Sequence, residues 1–257
     1  DRSRWPADRP SFTITAVERL AVESLAVRYE CPPYTGIEPR TIGDFDGRIE
    51  APVGSTAHLT LTLNQPAPVV RLDVDGGAPT AMHRSDDGRT FTAALPVRSD
   101  GRYRLLVVDT AGRTLQRLPD GAPGEPGYDA TDEWFPIVAV PDAPPKITFL
   151  SPGRDVSASL DSPLPTRVQA SDDYGLSSAQ LYAARQGEPF KAVHDYPVAD
   201  KRGGRFSHEL ALAAVGTLQD GDVIEYYAEA TDARLLPGAG PQISRTRQFR
   251  VKGEFRP

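Results

Sequence analysis

"DGRYRLLVVDTAG", residues 100–112, and "DGDVIEYYAEATDA", residues 220–233, share one plan. Asp-Gly makes a turn, an apolar run carrying Tyr103 or Tyr226 follows, and an aspartate (Asp109 or Asp232) closes it. A run this apolar on both faces predicts a central strand, packed above and below. Its position after Asp-Gly points to the F strand of an immunoglobulin-like sandwich. There a tyrosine near the strand start bonds back to the upstream backbone and pins the crossover between strands E and F. Tyr103 and Tyr226 are the expected locks, with Tyr227 competing for the second role.

The repeat widens on either side. "GSTAHLTLTLNQPAPVVRLDVDG" (54–76) parallels "DSPLPTRVQASDDYGLSSAQLYAA" (161–184) as strand, turn, strand. In the first copy Ala57, Leu59, Leu61 and Leu63 alternate with polar residues, the period of a strand with one wet face. Val70, Leu72 and Val74 then face one way, with Arg71 and Asp73 expected on the wet side. "RTFTAALPV", "PPKITFLSPG", "GRFSHELAL" and "SRTRQFRVK" add further strands. The one helical expectation is a turn or two at "LALAAVGTL". The predicted fold is therefore all-β, with two tandem immunoglobulin- or fibronectin III-like β-sandwich domains. Residues 1–21 lead in, 22–140 form the first sandwich, 141–145 a proline-rich linker and 146–257 the second. The Gly/Pro-rich stretch 117–134 is expected to be a long loop.

Composition agrees and excludes. The 257 residues include 25 prolines and 22 glycines, against a usual usage of about 5% and 7%. That is punctuation for many short strands. A net charge of −6 argues against nucleic acid as partner. Of the 29 basic residues only four are lysine, a mark of a GC-rich bacterial genome. One cysteine makes neither an internal disulfide nor a thiolate metal cluster. The start at Asp1, with no initiator Met and no signal peptide, predicts a piece of something longer.

Chemistry is sparse. In "YECPPYTG" (29–36) the alternation from Val27 to Glu30 reads as a first strand, stopped by Pro32-Pro33 and turned at Thr35-Gly36. Cys31 has no base in sequence reach and is expected to be inert. The acidic turns "DVDGG", "SDDG", "SDDYG" and "ATDA" have an ordinary reading, Asp side chains bonding their own backbone. The competing reading makes Asp172, Asp173 and Asp232 calcium ligands at one end of the second sandwich. Otherwise no cofactor is expected. A carboxylate pair for glycoside hydrolysis has no support, and glycine-rich phosphate loops are absent. "YDATDEWFP" (128–136) brings Tyr128, Trp134 and Phe135 together as possible partner contacts, Trp134 capping the core being the plainer alternative. Trp5 is the other tryptophan weighed as a contact.

"VRYECPPYTGIEPRTI", "IEAPVGST", "LNQP", "PPKITFLSPGRD" and above all "ASDDYGLSSAQLY" resemble a family of large bacterial envelope proteins of unknown function, common in planctomycetes. The resemblance spans roughly residues 22–252. It implies membrane helices near the parent's N-terminus, then extracytoplasmic immunoglobulin-like modules, then a long charged helical region. The family has no established catalytic residues, so none carries over. Cys31 departs from the family pattern, which has an aromatic or aliphatic residue there. The expected function is non-catalytic: a periplasmic or cell-surface spacer and protein-interaction module of a membrane-anchored protein. The membrane is reached only through segments outside this chain. The rivals are a carbohydrate-binding or calcium-dependent adhesion module, and accessory domains of an enzyme whose catalytic part lies elsewhere.

Overall fold

A computed structural model describes residues 20–108, 112, 114–115 and 134–254. Trp5, Asp109, Tyr128, most of the lead segment and most of the 117–134 stretch lie outside the described residues. The first half contains β1 (Val22–Glu30), β2 (Arg40–Ile42), β3 (Ile49–Pro52), β4 (Thr56–Leu63), β5 (Val69–Val74), β6 (Thr80–Ala81), β7 (His83–Arg84), β8 (Thr90–Pro96), β9 (Gly101–Val108), β10 (Thr114–Leu115) and β11 (Phe135–Val140). The second contains β12 (Lys146–Ser151), β13 (Val156–Ser159), β14 (Leu164–Ser171), β15 (Leu176–Arg185), β16 (Lys191–Asp195), β17 (Gly203–Leu210), β18 (Val223–Asp232), β19 (Ile243–Arg245) and β20 (Phe249–Glu254). Helical structure among the described residues is limited to 3-10 turns at Pro33–Thr35 and Leu212–Val215, the latter inside "LALAAVGTL".

The strands form four sheets. One runs β2-β1-β4-β8-β7 and faces another running β3-β11-β9-β5-β6, with β10 also on β9. In the second half β12-β14-β17 faces β13-β20-β18-β15-β16, with β19 also on β18. Each pair encloses its own core, residues 25–137 in one and 147–251 in the other. The architecture is all-β, built of sheets packed face to face as in immunoglobulin-like sandwiches.

The period-2 pattern of β4 is realised: Ala57, Leu59, Leu61 and Leu63 are fully buried. Each leucine removed from water contributes roughly 1.5–3 kcal/mol before entropy is counted. Both central strands are central, β9 between β11 and β5, β18 between β20 and β15. β1 ends at Glu30 ahead of the prolines and is an interior strand, with β2 on its other side.

One residue lies on its expected face but is buried there. Asp73, assigned to the wet face of β5, is only 1% exposed. Its Oδ2 accepts from Arg104 Nε at 2.8 Å, directly across on β9. Alternation predicts which face a side chain takes, but a neighbouring guanidinium can close the outer face over a carboxylate.

The two halves repeat the same device at the Tyr–Phe pair. Tyr103 on β9 lies opposite Phe135 on β11, and Tyr226 on β18 opposite Phe249 on β20. In each half a short strand joins parallel to the last one, Ile49 opposite Ile137 and Val156 opposite Val251. The tyrosine lock itself differs. Tyr103 is fully buried and its hydroxyl donates to the Gly47 carbonyl at 2.8 Å. Gly47 precedes β3, so the bond ties β9 to the entry of the parallel strand, not to the crossover from β8 into β9. The Tyr226 hydroxyl is buried without a partner, so the expected second lock is not made. Tyr227 points the other way and stacks on Tyr182, ring centroids 5.0 Å apart.

Candidate functional site

The sequence candidates converge where the two sandwiches meet. After β11 the chain passes through Asp142 and enters β12 at Lys146. The β14–β15 turn, carrying Asp172 and Asp173, and the end of β18, carrying Asp232, belong to the same end of the second sandwich. A carboxylate oxygen from each of Asp142, Asp172 and Asp173 lies within 4.8 Å of the others.

Local bonding orients these groups. Asp172 Oδ1 accepts the backbone N–H groups of Tyr174 (2.9 Å) and Gly175 (2.5 Å). Asp232 Oδ1 accepts those of Arg234 (3.1 Å) and Gln242 (2.7 Å). In both, turn chemistry uses one oxygen and leaves the other. Asp172 Oδ2, Asp232 Oδ2 and both oxygens of Asp142 are shut off from solvent with no hydrogen-bond partner. Asp173 is exposed, and its Oδ2 accepts a long bond (3.4 Å) from the Ala143 N–H. The Asp173 carbonyl accepts from Arg202 Nη1, which places that cation on the backbone.

The electrostatics record the crowding. Burial, then the charges of Asp173, Asp232 and Asp172, push the Asp142 carboxyl up to about 6. Burial is also the main cause raising Asp172, opposed by its two backbone bonds and assisted by Asp173 and Asp232. Burial and then Asp142 push the Tyr34 hydroxyl up as well. Like charges gathered in a half-dry place raise one another in this way.

Sequence reasoning missed Asp142. A single aspartate between prolines in a linker carries no motif. The usable signal was its position, one step from where the β14–β15 turn must pass if the linker is short.

Packing around the carboxylates joins the halves. Gln242 Nε2 donates to the Asp142 carbonyl at 3.0 Å. Tyr34 and Tyr174 meet edge to face at 6.1 Å. Leu236, from the loop after β18, lies over Gly54 and Pro32 of the first sandwich. Gly54 has φ +90, and a side chain there would run into Leu236. A cleft of about 360 Å³ opens beside this contact, lined among others by Tyr29, Ile37, Arg40, Ile42 and Glu50 with Tyr174.

The remaining candidates lie apart. Cys31 is a half-buried free thiol near Tyr174. The described histidine contacts lie elsewhere, His58 on Glu30 and His194 stacked on His208. Trp134 is half-buried, with the guanidinium carbons of Arg102 and Arg104 each 4.5 Å from its ring centre. Phe135 packs inside the first sandwich, 5.4 Å from the Tyr103 ring.

No protein-family model and no curated protein matches the chain. Among solved structures, the fibronectin(III)-like modules of Clostridium thermocellum CbhA are 15% identical over 81% of this chain and 90% of that one, with TM-score 0.29. A DUF3823 family protein from Bacteroides uniformis is 11% identical over 72% and 88%, with TM-score 0.29. The human OSCAR ligand-binding domain is 17% identical over 77% and 89%, with TM-score 0.24. The sandwich architecture stands on the strand order and the two cores, and these low-scoring likenesses add nothing to it about function.

Proposed function

We propose that the chain is a non-catalytic spacer and protein-interaction module of a larger bacterial envelope protein. In this reading it is held outside the cytoplasm by membrane segments beyond the chain. Among the described residues no helix is long and apolar enough to cross a membrane. The family resemblance of the "SDDYG" and "YECPPYTG" stretches supports the placement and the planctomycete-type origin.

The observation that carries the interaction reading is β2. It ends its sheet, all three of its residues are exposed, and the cleft lies beside it. Ile37 and Ile42, 38% and 37% exposed, are two of the five exposed large apolar residues among the described ones, and both line that cleft. An edge strand offers unpaired N–H and C=O groups to an incoming strand, and an adjoining apolar cleft selects its side chains. Pro39 and Arg40 at the strand entry discourage indiscriminate pairing.

The test is site-specific photo-cross-linking in the producing cell, with the reactive residue at Ile42 or at Leu150, an exposed residue of the second sandwich. Cross-links from position 42 to one envelope protein, weakened by Arg40→Glu, are the expected result. Equal labelling from both positions would sink the edge-strand reading. Recovery of the full-length protein in the cytosolic fraction would sink the placement.

A further inference from the structure

We infer that Asp142, Asp172, Asp173 and Asp232 form a calcium site that clamps the two sandwiches together. An acidic cluster alone is ordinary on a protein surface; two features set this one apart. Both carboxylate oxygens of Asp142 are shut off from solvent and accept no hydrogen bond of good geometry, although the Tyr34 hydroxyl bears on the group. Asp232 is 1% exposed with its Oδ2 likewise buried without a partner, and Gln242, whose N–H donates to Asp232 Oδ1, also donates its Nε2 to the Asp142 carbonyl and so holds the two residues side by side.

A buried ionised carboxylate without a donor costs several kcal/mol unless something positive reaches it. Among the described residues no ion pair reaches these aspartates. Arg202 is engaged by a backbone carbonyl, Arg234 has its Nε buried without a partner, and the ion pairs of the described residues lie elsewhere.

The donor set selects the ion. Asp142 offers two oxygens, Asp172 one and exposed Asp173 a further one with a route from solvent, while Asp232 Oδ2 stands just outside that group of three. That makes four hard oxygen donors with three negative charges, Asp232 adds a fourth charge beside them, and water through the open side completes a shell of six to eight. Calcium accepts such crowded, irregular carboxylate sets. Magnesium demands near-ideal octahedral geometry and dehydrates reluctantly, so it is a poor fit. With nitrogen and sulfur donors missing from the cluster, zinc is disfavoured.

The consequence is mechanical. Asp142 belongs to the connection and the other three to the second sandwich, so a shared ion fixes the connection against the second sandwich. The tyrosine contact and the Leu236 contact then bring the first sandwich into register. Calcium converts a hinge into a stiff joint.

The experiment uses the whole chain, stripped of divalent ions and titrated with calcium chloride alone. Expected are a saturable binding heat and a rise in melting temperature of roughly 5–10 °C at about a hundredfold excess over Kd. Small-angle scattering is expected to show a narrower spread of shapes with calcium than without. Asp142→Asn, which keeps an acceptor oxygen of the same reach beside Tyr34, is expected to abolish the heat while leaving the circular dichroism unchanged. No heat and no melting shift in the parent would overturn the inference. So would undiminished binding by Asp142→Asn, or an equal response to magnesium. The cross-linking result bears on the edge strand only, so either proposal can fail without the other.

Discussion

The two sandwiches place a tyrosine and a phenylalanine at the same point of the same topology, yet only the first turns the pair into a lock. In the first, the position two residues before Ile49 is Gly47. Its φ of +94 and its missing side chain let the Phe135 ring lie against the backbone while its carbonyl receives the Tyr103 hydroxyl. The equivalent position before Val156 is the exposed Arg154. No such approach is made there, and Tyr226 buries its hydroxyl unsatisfied against Phe149 and Phe249. One residue without a Cβ separates a pinned strand from one held by apolar packing alone.

That contrast breaks most sharply at the glycine. Gly47→Ala puts a Cβ inside the Phe135 ring at a φ that suits only glycine. Strain and overpacking together cost about 2–4 kcal/mol, read as a lower midpoint in urea unfolding. Arg154→Ala is expected to shift the midpoint by less than about 0.5 kcal/mol, as exposed substitutions do. Equal effects would show that the positions are not equivalent.

The hydroxyls come next. Tyr103→Phe leaves the Gly47 carbonyl without its donor and costs about 1–2 kcal/mol, whereas Tyr226→Phe removes a group that has no partner and is neutral or stabilising. A loss of similar size in both would mean that Tyr226 also finds a partner.

The outer faces offer a third comparison. Trp134 covers β9 through Arg102 and Arg104, while in the second sandwich Tyr227 is covered by Tyr182, Phe190 and Arg245. Trp134→Ala is expected to cost about 1–2 kcal/mol, the two cation–π contacts and some area, and not the larger loss of a core aromatic. An unchanged melting temperature would return Trp134 to the role of a free contact residue.

The smallest effect is a dependence on pH confined to the second sandwich. His194 on β16 and His208 on β17 stack at 3.7 Å, joining the edges of its two facing sheets. Burial, then the charge of His194, lowers the His208 pKa against a weaker opposing pull from Glu209. The folded state thus binds fewer protons than the unfolded one. Its contribution is complete above the unfolded value of about pH 6.5 and is lost as the pH falls from there through the lowered folded value. The raised Asp142 works in the opposite direction, so the parent is compared with His208→Gln, which shares the carboxylates. The gap between them in melting temperature is expected to change from pH 7.5 to about pH 5.5. A constant gap would remove the histidine pair as the cause.

How much was legible depends on the range of the interaction. The strands of β4, β9 and β18 follow from period and punctuation, since side-chain alternation is a property of neighbours along the chain. The burial of Asp73 is not legible in that alternation, because the Arg104 that meets its carboxylate lies 31 residues away. The Tyr103 lock was expected from its position, but its acceptor lies 56 residues upstream. Asp172, Asp173 and Asp232 were singled out as turn acids, while Asp142 escaped because a lone linker aspartate has no pattern.

The amino-acid sequence by itself determined an all-β chain of repeated sandwich strands, because hydrophobic alternation and turn residues act locally. Only the tertiary structure decided which tyrosine is locked, which aspartate is buried, and that the carboxylates of the connection and of the β14–β15 turn meet at the joint. Those outcomes depend on distances between residues far apart in the chain, and packing alone sets such distances.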